Sequence, residues 1–307
     1  MAHPTRRLFL WASTNPTLRE RLPRTRVMQR AVRRFMPGET MDEALAAAAD
    51  YEERGIGTLY TRLGENLVSL DEAEVVADHY VALLDEIRER GIRGEPSVKP
   101  TQLGLDLDAE ATFRHLSRLA AHAEGTGSYL WIDMESSPYV DATLGLYRRL
   151  KRTHDRVGIC LQAYLRRTAR DVESLLPLNP AIRLVKGAYD EPRRLAYTDA
   201  REVDASFLAL SVTMLRERNV RLGLGTHDVE LIEQLATHAA ALGLGRDAFE
   251  VQMLYGIRTS ELLRLQREGY RCQVLIAYGA SWYPWYLRRL AERPANVAFV
   301  ARQMIPW

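Results

Sequence analysis

From residue 57 almost to the C-terminus, short and nearly continuous apolar runs alternate with longer stretches of helical periodicity. The apolar runs are GTLYTRLG (57–64), PSVKPTQLG (96–104), SYLWIDME (128–135), VGICLQAYL (157–165), AIRLVKGAY (181–189), VRLGLGTH (220–227), FEVQMLYG (249–256) and QVLIAYG (273–279). Runs of this length without a polar face are expected of strands buried on both sides. The intervening segments, such as DEAEVVADHYVALLDEIRERG and DVELIEQLATHAAALG, repeat apolar residues at helical spacing. Many of them begin with Asp, Ser or Thr, whose side chains can cap the first free backbone N–H groups. Eight strand-then-helix units within about 250 residues predict an α/β fold of the (βα)8 barrel type. The expected division is an N-terminal helical arm over 1–55 and a barrel over 56–307. A doubly wound open sheet would require a glycine-rich phosphate loop after its first strand. No GxGxxG follows GTLYTRLGEN, and the glycine-spaced GLGTHD (223–228) comes far too late.

Function in such a barrel gathers at the C-terminal ends of the strands, and here those ends are polar. Strand by strand they carry Lys99, Thr101 and Gln102; Asp133 and Glu135; Gln162 and Tyr164; Arg183 and Lys186; Thr226, His227 and Asp228; Gln252; and Tyr278. Buried ionisable groups are costly unless paired or used, so the set reads as one wet, charged pocket. Its cations, Lys99, Arg183 and Lys186 with Arg288 and Arg289 on the last helix, outnumber Asp133, Glu135 and Glu292. Such a pocket suits an anionic occupant, whether a phosphate-bearing cofactor or a carboxylate substrate.

Composition sharpens this picture in three places. Only three lysines, Lys99, Lys151 and Lys186, occur among 42 Lys and Arg, so a lysine kept inside an apolar strand calls for a chemical reason. The formal net charge of +2 argues against a polyanionic partner, and no nucleic-acid role is expected. Residues 1–40 are the exception, with nine arginines against Glu20 and Glu39, an arm that is either a solvated helical cover or a contact for phosphate or an anionic membrane surface. Cys160 and Cys272 sit in apolar runs and form no framework or CxxC motif, which suits a reducing compartment. No apolar run reaches the length of about 18 residues that a membrane span needs. The chain is therefore expected in the cytoplasm, with the arm as a candidate contact at the inner membrane face. The seven histidines show no metal-ligand spacing, and no metal is expected.

The last helix, SWYPWYLRRLAER, places Arg288 and Arg289 side by side, their side chains about 100° apart around the axis. Two guanidinium forks in that arrangement can hold a small carboxylate from two sides. Glu292 lies within reach of either, and the aromatic lead-in supplies apolar walls.

RLVKGAY (183–189), WIDMES (131–136), LQAY (161–164), GTHD (225–228), FEVQMLYG (249–256) and YGASWYPWYLRRLAERPAN (278–296) together resemble the motifs of the proline dehydrogenase family, in order and in strand placement, over roughly residues 95–296. The size resembles the monofunctional bacterial members, without an aldehyde dehydrogenase domain. The resemblance implies FAD on a distorted barrel and oxidation of L-proline to Δ1-pyrroline-5-carboxylate. Electrons would pass to a membrane quinone, and the product to a separate pyrroline-5-carboxylate dehydrogenase. It implies that Lys99, Arg288 and Arg289 grip the proline carboxylate, that Arg183 stands near the flavin N5 edge, and that Asp133 orders the pocket. Met134, Gln162, Lys186, Gly187, Ala188, Thr226 and His227 would line the flavin and its phosphates, and Tyr278 would pack on the proline ring. Where the family often has Tyr three residues before the arginine pair, this chain has Trp285, which keeps an aromatic wall and removes a hydroxyl. Two other readings fit parts of the pattern. A class I aldolase-type barrel would use Lys186 as a Schiff-base nucleophile, and a non-catalytic binding protein would use the arm for nucleic acid.

Overall fold

A computed structural model describes residues 32–64, 67–283 and 285–287, with Asn15, Thr25 and Met28 before them. Of the nine arginines in residues 1–40 only Arg33 and Arg34 are among the described residues, and Arg288, Arg289 and Glu292 lie outside them. Among the described elements helix α1 (Met41–Glu52) precedes the barrel, opened by a capping box in which Thr40 and Glu43 satisfy each other's backbone N–H groups. Eight parallel strands follow: β1 (Gly57–Arg62), β2 (Gly94–Val98), β3 (Leu130–Ile132), β4 (Val157–Gln162), β5 (Ala181–Val185), β6 (Arg221–Gly225), β7 (Glu250–Leu254) and β8 (Arg271–Tyr278). They close into a barrel in sequence order, β8 pairing with β1. The helices between them are α2 (Leu70–Glu89), α3 (Ala109–Gly125), α4 (Val140–Leu150), α5 (Thr168–Leu175), α6 (Ala200–Arg216), α7 (Val229–Ala241) and α8 (Thr259–Arg267). Each of the eight apolar runs overlaps one strand, with β2 and β8 starting before theirs at Gly94 and Arg271, and the (βα)8 expectation is met.

Most strands stop before the predicted runs end, although single backbone bonds continue past several of them, as from Ala163 N to Val185 O and from Tyr255 N to Leu275 O. The β1–β2 ladder opens early. Register pairing stops at Tyr60 with Pro96, and the Tyr80 hydroxyl of α2 fills the gap. It accepts from Arg62 N (2.9 Å) and donates to Ser97 O (3.2 Å), so one buried phenol bridges two diverging strands.

Alternation along each strand divides the side chains between the barrel interior and the helix layer. The outer set, including Tyr60 and Ile276, joins helix residues such as Tyr80 and Leu83 in the main apolar core. Three levels fill the interior. At the floor Arg221 bonds Glu95 (2.8 Å) and Glu250 (2.9 Å), lies over the Tyr129 ring at 4.3 Å, and shares Glu95 with the Trp131 indole N–H (2.6 Å). This charged floor is fully partnered, and its place at the N-terminal end of the strands marks it as structural. Above it Leu59, Trp131 and Ala181 form a small apolar layer flanked by Tyr129 and Leu275. The upper level is polar, with Ser97, Asp133 and Arg183 in contact.

A further apolar cluster roofs the mouth on one side. Val32, Phe35 and Met36 meet Leu63, Ala277, Trp282, Tyr283, Tyr286 and Leu287. The Trp282 indole donates to Glu39 (2.9 Å), tying the segment after β8 to the chain just before α1. Gly256 permits the approach: it has φ +72°, and a Cβ there would lie 1.6 Å from the Arg34 carbonyl oxygen. No described helix is long and apolar enough to cross a membrane.

Candidate active site

The upper interior is organised around Arg183. Its strand position turns it inward, opposite Cys160 in the β4–β5 register, and its residue is 4% exposed. Nη2 donates to Ser97 Oγ (2.6 Å) and to Asp133 Oδ1, while Ser97 Oγ also bonds Asp133 Oδ1 (2.8 Å). Nη1 is buried and has no hydrogen-bond partner. A buried guanidinium donor left unmet costs about 1–3 kcal/mol or more, so this one points to an acceptor that enters the mouth. Burial pushes the neighbouring Cys160 thiol up, keeping it a neutral filler beside the cation.

The other predicted residues ring this centre unequally. Lys99 follows β2 and its charge acts on Glu135, whose carboxylate accepts from Thr101 N (3.1 Å) and Oγ1 (2.6 Å). Burial nevertheless raises the Glu135 carboxyl above its ordinary range. Gln162 donates to the Glu135 carbonyl (2.8 Å), and Met134 is buried in the main core. After β5, Lys186 is held by Asp204 (2.5 Å) and Asp228 (2.7 Å). That is an ion-pair setting, not the apolar pocket an amine nucleophile needs, and it argues against the Schiff-base alternative. Gly187 has φ +121°, and a Cβ there would lie 2.2 Å from the Tyr164 ring. The backbone at Gly187 therefore comes closer to the Tyr164 ring than a residue with a side chain would allow. Thr226 Oγ1 accepts from Asp228 N (3.1 Å). His227 Nε2 accepts from the Leu254 amide (3.0 Å), which places the ring proton on Nδ1.

Tyr278 does not join this set, and the expectation that it packs in the pocket is corrected. It pairs in register with Arg62, and both point outward. Its hydroxyl bonds His79 Nε2 of α2 at 2.7 Å, and its ring belongs to the main core outside the strands. Burial, reinforced by the nearby Arg62 charge, lowers His79 to about 4, so the bond joins two neutral groups. The inward residues of β8 are Gln273, Leu275 and Ala277, aligned with Gly57, Leu59 and Thr61 of β1. Leu275, half-buried beside the apolar layer, takes the wall position instead. Ser97, Cys160 and Leu275 were missed by sequence reasoning. Counting by twos from Lys99, Gln162 or Ala277 would have found them. No cluster of potential metal ligands occurs among the described residues.

A closed parallel barrel with a buried, half-satisfied cation at its C-terminal mouth defines a barrel enzyme with a site for an acceptor-rich ligand. The family described as Proline dehydrogenase matches residues 44–302, and the chain belongs to that family. It is 35% identical to Proline dehydrogenase 1 of Bacillus subtilis (strain 168) over 300 residues, 98% of this chain and 99% of that protein. It is 36% identical to the Proline dehydrogenase of Deinococcus radiodurans over 305 residues, 98% of this chain and 97% of that one. Its fold superposes with a TM-score of 0.83 and 22% identity on the crystal structure of proline utilization A (PutA) from Bdellovibrio bacteriovorus inactivated by N-propargylglycine, covering 98% of this chain and 38% of that one. The chain is an oxidoreductase of proline catabolism, catalysing its first step, the oxidation of proline.

Proposed function

We propose that the chain oxidises L-proline to Δ1-pyrroline-5-carboxylate with FAD in the barrel mouth and a quinone as electron acceptor. The observation that carries the placement is the buried, unpartnered Nη1 of Arg183, a donor whose unmet N–H groups an acceptor-rich ring would satisfy. When bound, FAD supplies the hydride acceptor for the C–H bond beside the proline nitrogen. The protein's contribution is orientation and charge. Arg183, held by Asp133, is the cation at the electron-accepting edge. Lys99, Arg288 and Arg289 hold the substrate carboxylate and so fix which ring carbon faces that edge. Gln162, Lys186, Ala188, Thr226 and His227 surround the cofactor, with Met134 packed behind them. Contact of the Arg-rich arm with an anionic membrane surface would bring the chain to a lipid-borne quinone. The product would pass to a separate pyrroline-5-carboxylate dehydrogenase.

Anaerobic addition of L-proline to the purified protein is expected to bleach a flavin absorbance. Acid precipitation should release the chromophore, whose mass should be that of FAD. A colourless protein that FAD cannot reconstitute, or a flavin that proline leaves oxidised, would overturn the proposal.

The strand register makes a separate forecast about ring selectivity. Tyr278→Phe removes a bond to α2 and is expected to cost about 1 kcal/mol of stability. It should leave the ratio of kcat/KM for proline over 4-hydroxyproline within about twofold. Leu275→Ala opens the interior wall and should change that ratio by about tenfold, the scale on which apolar pockets discriminate. The reverse pattern in steady-state kinetics would return the wall to Tyr278.

A further inference from the structure

We propose that Ser97 is a positioning residue for proline oxidation, its hydroxyl fixing the Arg183 guanidinium through a closed three-way contact with Asp133. This rests on the reading of Arg183 as the cation beside the electron acceptor.

Proton bookkeeping makes the contact directional. A hydroxyl has one proton and two lone pairs, a guanidinium only donates, and a carboxylate only accepts. Ser97 Oγ therefore donates to Asp133 Oδ1 at 2.8 Å and accepts from Arg183 Nη2 at 2.6 Å, and Nη2 also reaches Oδ1. With two acceptors on Nη2, the plane of the fork is set, and the buried Nη1 is left without a hydrogen-bond partner. One acceptor alone would leave the guanidinium free to pivot about the Asp133 oxygen.

Ser97 is itself well anchored. It is fully buried, its Cα pairs in register with Trp131, and its carbonyl accepts from the Tyr80 hydroxyl. A buried hydroxyl inside a barrel loses hydration that an alanine would not. Its two bonds in the triangle compensate for that loss, and neither is needed to close the β2–β3 ladder. The hydroxyl therefore serves the cation, not the sheet. Arg183, Asp133 and Ser97 come from β5, the end of β3 and β2, so the triangle also holds the interior side chains of three strands in one geometry.

The test compares wild type, Ser97→Ala, Ser97→Cys, Asp133→Asn, Arg183→Met and the double variant Ser97→Ala/Asp133→Asn in anaerobic single-turnover reduction of the bound flavin by L-proline. Flavin content, KM and Tm are measured on the same samples. Ser97→Ala should keep flavin content and KM near wild type while reduction at saturating proline slows about tenfold, the cost of a misplaced reacting group. Ser97→Cys fills the same space with a weak donor and acceptor. It should slow reduction as well, so the test survives a folding failure of the alanine variant. The double variant should be no slower than Asp133→Asn alone. A purely structural serine would lower Tm and leave the rate per bound flavin unchanged. Wild-type reduction rates in Ser97→Ala or Ser97→Cys, with Arg183→Met impaired, would overturn the role of Ser97 and leave the reading of Arg183 standing. A wild-type rate in Arg183→Met would overturn both.

Discussion

Arg183→Met is expected to slow flavin reduction by proline by about 10²–10³-fold, the scale seen when one preorganised charge-stabilising donor is lost from an active site. Arg183 is almost fully buried, is locked by Ser97 and Asp133, and keeps Nη1 without a hydrogen-bond partner. Such a donor needs no reorganisation as charge develops beside it. Stability should fall as well. Removing one member of a buried pair leaves the other charge uncompensated, which typically costs about 3–5 kcal/mol. Arg183→Met combined with Asp133→Asn should recover part of the lost Tm but none of the lost rate. Single-turnover kinetics normalised to bound flavin, alongside thermal melts, separate the two effects. A variant with normal flavin content and normal rate would remove Arg183 from the reaction.

Arg288→Met and Arg289→Met should each lower kcat/KM for proline by about 10- to 150-fold, the equivalent of one charge-assisted bond of roughly 1.5–3 kcal/mol. The loss should appear mainly in KM, with flavin content near normal. Lysine replacements should rescue only part, because an ammonium cannot form the planar fork. The pair follows directly on Leu287, which belongs to the apolar cluster at the barrel mouth with Trp282 and Tyr286. Solvated arginines at a helix end would each cost little. Near-wild-type KM in both variants would show that the carboxylate is held elsewhere.

The barrel was legible because each strand is a short apolar island between capped helices. Asp108, for example, caps α3 by accepting from Glu110 N (2.7 Å) and Ala111 N (3.0 Å). The cluster of charge at the strand ends was legible too, since ionisable residues inside such islands are rare without a use. The family could be read from motifs such as RLVKGAY and WIDMES, and the match over residues 44–302 agrees with it.

Which side each residue faces was another matter. In a strand buried on both faces the apolar alternation that would reveal orientation is absent, and a displacement of one position exchanges interior for exterior. Tyr278 and Ala277 differ by that one position, and only the β1–β8 register sends the phenol to His79 and leaves Leu275 on the inner wall. The same limit hid the floor. Arg221, Glu95 and Glu250 are separated by up to 155 residues in the chain yet share one set of hydrogen bonds. Ser97 looked like an ordinary small strand residue until closure of the barrel brought β2 and β5 to face each other across the interior. Local pattern and side-chain chemistry determined the elements, their order and the charge of the mouth. Which donors and acceptors meet was decided by ring closure, because those contacts exist only once strands far apart in sequence share one interior.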